Sequence, residues 1–215
     1  FKNQIPALSK LFTVVALDSR EQGQSSRANA QISYELMSKD VVALAEHLGH
    51  GRISIVGSSD GGVTGLTTAI NSPDLVGKLV LLGTNYHFDS YPEETREFIM
   101  SYEWDGNTSP ETYPGIFIEH YMTGQDDLTD FGELLKEMSA MWTTSPTYLV
   151  SDLGKVKAKT LVINGDREDM GLEHILSLYN ALSDAQLFIV PNGTHYSLQE
   201  QPELINSVII KFLNE

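Results

Sequence analysis

The six residues Gly57-Ser58-Ser59-Asp60-Gly61-Gly62 constrain this chain more than any other stretch of it. Residues 53–56 (ISIV) precede them as a short apolar run of the kind that forms a buried strand, and residues 63–70 follow as a small, apolar, helix-compatible segment. Strand, sharp turn and helix in that order demand a reversal of direction within a few residues, which small side chains permit. The same alternation recurs. Residues 79–82 and 160–163 are continuous apolar runs, as expected for strands covered on both faces, and residues 186–190 read as a further strand. Helical periodicity marks residues 33–48, with Ser33 as N-cap and Gly49 as terminator, then residues 172–182, and finally residues 202–213 with Pro202 in the first turn. Residues 12–18 (FTVVALD) read as one more strand, leading into turn chemistry at residues 19–26. The pattern predicts an α/β fold: a mostly parallel sheet flanked by helices.

Between residues 85 and 146 the composition changes. Both tryptophans, Trp104 and Trp142, fall there, with several tyrosines and acidic pairs such as Asp126-Asp127. The predicted organisation is therefore a core in two parts, residues 1–84 and 147–215, interrupted by a helical cap over residues 85–146. Charge narrows the partners. With 14 Lys+Arg against 29 Asp+Glu, a net charge of −15, and no basic patch, the chain is unsuited to a phosphate backbone or an anionic membrane surface. No cysteine is present, which removes thiolate nucleophiles and thiolate zinc sites. No apolar run approaches the roughly 18–20 residues of a spanning helix. No lysine follows the glycine-rich turn in the Walker arrangement and G-x-G-x-x-G is absent, so nucleotide binding is the weaker use of this turn. The expected partner is a small molecule, with no nucleic acid, membrane span, metal or cofactor, and the expected location is cytoplasmic.

Residues 57–61 fit G-x-S-x-G between a predicted strand and a predicted helix, the context that gives the motif chemical meaning. Ser59 then projects its hydroxyl from a strained turn, with small residues at Gly57 and Gly61 keeping backbone out of its way. The Asp60 amide, at a helix N-terminus, points where an oxyanion forms. The competing reading is a Gly/Ser-rich turn without chemistry. A serine nucleophile needs a base, and the histidines are His47, His50, His87, His120, His174 and His195. His195 follows the last predicted strand, at the sheet edge where functional loops gather, so it is the candidate base. An orienting carboxylate is sought after the preceding strand, in Asn164-Gly165-Asp166-Arg167-Glu168-Asp169, where Glu168 and Asp169 remain alternatives. A calcium loop there is excluded by Met170 and Ser177 at positions that need oxygen ligands.

These segments together resemble the α/β-hydrolase superfamily, in particular its bacterial esterase/lipase-like and haloperoxidase-like serine hydrolases. Val56 to Gly62 (VGSSDGG) resembles the nucleophile elbow, residues 161–168 (LVINGDRE) the acid loop, and Gly193-Thr194-His195 through Pro202-Glu203 the histidine loop and last helix. Residues 18–25 (DSREQGQS) are similar to the family's D-x-R-G-x-G-x-S loop, with Glu21 in place of a glycine. The order Ser59, Glu168 or Asp169, His195 is the family's order. The resemblance also implies leading strands and an HG-type loop donating a second oxyanion-hole amide. Residues 1–10 already read as the helix after that loop, so the expectation is a chain without those strands and with only the Asp60 amide accounted for. The activity implied is cleavage of a small carboxylic ester through an acyl-enzyme. The same fold also supports carbon–carbon bond hydrolysis, cofactor-free perhydrolysis, or ligand binding without turnover. The cap would roof the site, with Tyr86, His87, Trp104 and Trp142 as candidate pocket walls.

Overall fold

The computed structural model describes residues 1–26, 32–101 and 131–215. In chain order they form α1 (Gln4–Leu8), α2 (Tyr34–His47), β1 (Ile53–Ser58), α3 (Asp60–Asn71), β2 (Val76–Leu82), a 3-10 turn (Phe88–Ser90), α4 (Glu93–Ser101), α5 (Phe131–Thr144), α6 (Val150–Leu153), β3 (Lys159–Gly165), α7 (Leu172–Ala181), β4 (Ala185–Val190), α8 (Ser197–Glu200) and α9 (Pro202–Asn214). Helix α2 begins as its sequence predicts: the Ser33 hydroxyl accepts the Leu36 amide at 3.2 Å, and Gly49 beyond its end takes a left-handed φ of 73°.

The four strands form one parallel sheet in the order β1-β2-β3-β4. Its register matters for function. Ser58 pairs with Leu82, Leu82 with Ile163, and Gly165 with Val190, so the turns after all four strands emerge along one edge. Alternate residues of the inner strands supply the two faces. Leu79, Leu81 and Val162 join Leu66 of α3 and Ile175 and Leu178 of α7 on one side. Val80, Leu82, Leu161 and Ile163 join Leu8 of α1 and Ile205, Ile209 and Phe212 of α9 on the other. A third cluster packs Phe131, Leu134, Leu135, Met138 and Met141 of α5 against Tyr34 and Met37 of α2 and Val63 of α3.

Residues 12–18, predicted as a strand, form no ladder among the described residues; Phe12 and Val14 lean on the second cluster while Leu11, Val15 and Leu17 stay exposed. Side-chain pattern alone does not make a strand. The backbone needs a hydrogen-bonding neighbour, and the described sheet gives β1 only β2. In the following loop Glu21 takes φ 67° and is 5% exposed, so a residue with a Cβ occupies the left-handed conformation that glycine adopts freely.

The two ends of residues 85–146 meet. The Tyr148 amide donates to the Tyr86 carbonyl at 3.0 Å and the Phe88 amide to the Pro146 carbonyl at 2.8 Å, flanking a bridge between His87 and Thr147. The chain therefore leaves the sheet after β2 and returns to it before β3 through one antiparallel stem. Among the described residues no helix is long and apolar enough to cross a membrane.

Candidate active site

Ser59 sits between the last residue of β1 and the first of α3, with φ 52° and ψ −121°. This conformation costs of order 1–3 kcal/mol for a residue with a side chain and persists only where its surroundings enforce it. They do so here by backbone bonds in both directions: the Ser59 amide donates to the Leu82 carbonyl at 2.9 Å, and the Ser59 carbonyl accepts from Val63 at 3.0 Å. Steric demand falls on two glycines. A Cβ at Gly57 would be driven into the backbone of Gly61 and Gly62, and one at Gly62 into the Thr84 side chain. Gly61 differs from its predicted role, because a Cβ there meets open space. The backbone that must be kept clear is Gly61's own, and Gly57 is the residue that yields.

The Ser59 Oγ lies 3.1 Å from Nε2 of His195. On the other side of the imidazole, Nδ1 lies 2.9 Å from Oε1 of Glu168. With Nδ1–H donating to the carboxylate, Nε2 is left to accept from the serine hydroxyl. Burial is graded along this line: the Glu168 side chain is 2% exposed and that of His195 32%, so the carboxylate is shielded while the imidazole remains reachable. Asp169 is exposed and bears on His195 only through its charge.

Burial alone would lower the His195 pKa. The hydrogen bond and charge of Glu168, reinforced by the charges of Asp60 and Asp169, outweigh it and hold the imidazole above its ordinary value. Beneath the pair lies Gly83, φ 50°, where a Cβ would stand 3.2 Å from Glu168 Oε2 and 3.3 Å from His195 Nδ1. The loops carrying Glu168 and His195 are joined directly, the Arg167 amide donating to the Gly193 carbonyl at 3.0 Å. Glu200 then fixes the histidine loop by accepting the Thr194 amide at 3.1 Å and its hydroxyl at 2.7 Å.

As the first residue of α3, Asp60 has an amide with no acceptor inside the helix, next to Ser59. Its carboxylate accepts the Tyr34 hydroxyl at 2.7 Å and the Trp142 indole N–H at 2.9 and 2.8 Å. Burial raises its pKa and both donors oppose that rise. Trp142 is thus joined to the turn through Asp60. Tyr86 and His87 are engaged elsewhere: Tyr86 stacks on His174 with ring centroids 4.2 Å apart and its hydroxyl meets Ser177 at 2.9 Å, while His87 pairs with Asp89. Trp104 lies outside the described residues. Tyr34 and Gly83 belong to none of the motifs and escaped the sequence reading; Glu200 lies within the histidine-loop segment, but its role as anchor of Thr194 was not read from the sequence. Among the described residues no group of three or more His, Asp or Glu is placed to hold a metal ion.

A family model for the alpha/beta hydrolase fold matches residues 1–112. The chain is 30% identical over 200 residues to the 2-hydroxy-6-oxo-6-phenylhexa-2,4-dienoate hydrolase of Comamonas testosteroni, covering 81% of this chain and 67% of that protein. It is 22% identical over 226 residues to a putative esterase/lipase of Haemophilus influenzae, covering 97% and 76%. Among solved structures, the meta-cleavage product hydrolase of Pseudomonas fluorescens superposes with a TM-score of 0.78 at 22% identity over 99% of this chain and 84% of that one, a likeness of fold.

Proposed function

Because the chain belongs to the alpha/beta hydrolase family, we propose that it is a serine hydrolase that cleaves a small carboxylic ester, with Ser59 as nucleophile, His195 as base and Glu168 as the orienting acid. The observation that carries this reading is the unbroken line Ser59–His195–Glu168, at 3.1 and 2.9 Å, built on a serine at positive φ. His195 accepts the Ser59 proton as Oγ attacks the ester carbonyl carbon, and the oxyanion rests against the Asp60 amide. Collapse of that intermediate breaks the bond to the alcohol, which takes the proton from His195. Water, deprotonated by His195, then cleaves the acyl-enzyme and restores Ser59. Residues 85–146 serve as a cap whose α5 lies beside the turn. The acidic balance of the chain favours neutral or cationic substrates over polyanions.

The experiment is hydrolysis of p-nitrophenyl acetate by the protein and by Ser59→Ala. Loss of turnover, with stability kept within about 1 kcal/mol as for a surface substitution, supports the nucleophile; full residual activity refutes it. A second reading, hydrolysis of a carbon–carbon bond, is favoured by the 30% identity to a 2-hydroxy-6-oxo-6-phenylhexa-2,4-dienoate hydrolase. A panel pairing simple esters with vinylogous diketones separates the two, since the better substrate class has the higher kcat/KM.

A further inference from the structure

The chemistry proposed above uses the amide of Asp60 and leaves its carboxylate unexplained. That carboxylate joins three elements. Asp60 opens α3, Tyr34 opens α2 and Trp142 lies in the last turn of α5, and both aromatic donors converge on it at 2.7–2.9 Å. The apolar cluster around them joins the same three elements, with Tyr34, Met37, Val63, Leu135 and Met138 buried and Trp142 packed against them. An anion at the first residue of a helix is favoured by the positive end of the helix dipole, and hydrogen bonds to an ionised acceptor are the stronger kind.

We propose that Asp60 is a positioning residue: its carboxylate clasps Trp142 of α5 and Tyr34 of α2 to the turn that carries Ser59, and so fixes where α5 stands over the nucleophile. This deepens the hydrolase reading and rests on it. Displacing α5 from the turn breaks both Trp142 contacts to the carboxylate and uncovers the apolar cluster beneath. The seating of α5 is therefore coupled to the residue immediately after the nucleophile, and substrate affinity depends on that seating.

Asp60→Asn keeps the shape of the side chain, removes its charge and turns one acceptor oxygen into a donor. Trp142→Phe removes the indole donor and keeps an aromatic ring. The full chain has two tryptophans, so its proton–nitrogen spectrum shows two indole resonances, and the one lost in Trp142→Phe is that of Trp142. In Asp60→Asn that resonance is expected to move, the amides of α5 to exchange faster than those of the sheet, and KM for p-nitrophenyl acetate to rise about threefold to tenfold, the size one hydrogen bond contributes. Trp142→Phe should reproduce the exchange and KM effects, and it carries the test alone if Asp60→Asn fails to fold. An unmoved indole resonance in Asp60→Asn, or unchanged α5 exchange and KM in Trp142→Phe, overturns the clasp. If the unsubstituted protein turns over no ester, the ester-hydrolase reading fails, while the indole and exchange measurements still decide whether the clasp exists.

Discussion

At Glu168 two neighbouring acids part company. Its carboxylate reaches His195 Nδ1 from a position 2% exposed, while Asp169 remains at the surface. Glu168→Gln is expected to lower kcat/KM about a thousandfold or more, since losing the acid that holds the imidazole tautomer costs on the order of 10⁴ in such a triad, and Asp169→Asn less than threefold; steady-state kinetics on one ester checks both. The charge arrangement also fixes a pH profile. A base works when neutral, and Glu168, Asp60 and Asp169 favour the protonated imidazole. The acid limb of kcat/KM should therefore lie above the ordinary histidine value of about 6.5, and Glu168→Gln should move it down. A limb at or below 6.5 in the unsubstituted protein contradicts this assignment of charges. Ser59, His195 and the two candidate acids were legible in the sequence because each follows an apolar strand in a turn of distinctive composition. The choice between Glu168 and Asp169 was not, because adjacent residues in a loop point in different directions and only the three-dimensional path says which. The partners of Asp60 were hidden for a related reason: Tyr34 and Trp142 lie 26 and 82 residues away, and nothing local marks an indole as a donor to a carboxylate.

Among the elements, the turn from β1 to α3 makes the sharpest demand on sequence. Gly57→Ala forces a Cβ into backbone that cannot move aside and is expected to destabilise by about 1–3 kcal/mol or more, the cost of overpacking. Gly61→Ala places its Cβ in open space inside a helix and is expected to be neutral or stabilising by up to about 1 kcal/mol. Thermal unfolding of the two variants distinguishes these roles within one motif. A second element-level device joins the stem of residues 85–146 to α7. His174 accepts the Tyr86 amide at Nε2, 3.2 Å away, and stacks on the Tyr86 ring. Burial lowers its pKa to about 4 against 6.5 unfolded, with Asp89 opposing and His87 adding to the shift. A depressed histidine binds its proton first in the unfolded chain, so its share of stability is complete above pH 6.5 and declines as pH falls toward 4. Melting temperatures across that interval should fall more steeply for the unsubstituted protein than for His174→Gln; parallel curves would refute the link. Strands β1 to β4 were readable from apolar runs alone. Residues 12–18 carry an equally good pattern and form no ladder among the described residues, because pairing is a property of two segments.

For the molecule as a whole, the parallel register is what brings four separate strand-end turns together at one place. It delivers Ser59, Gly83, the Glu168 loop and the His195 loop to the same edge of the sheet, while the apolar faces on either side hold the strands in place. Ser59 and His195 are 136 residues apart, yet their side chains come within 3.1 Å. That juxtaposition is the central claim about function, and covalent labelling reads it directly. The protein is treated with a fluorophosphonate, digested, and the modified peptide sequenced by mass spectrometry. A single adduct on Ser59, lost on heat denaturation and strongly slowed in His195→Gln, is the predicted result; no adduct, or one on another serine, would contradict the account.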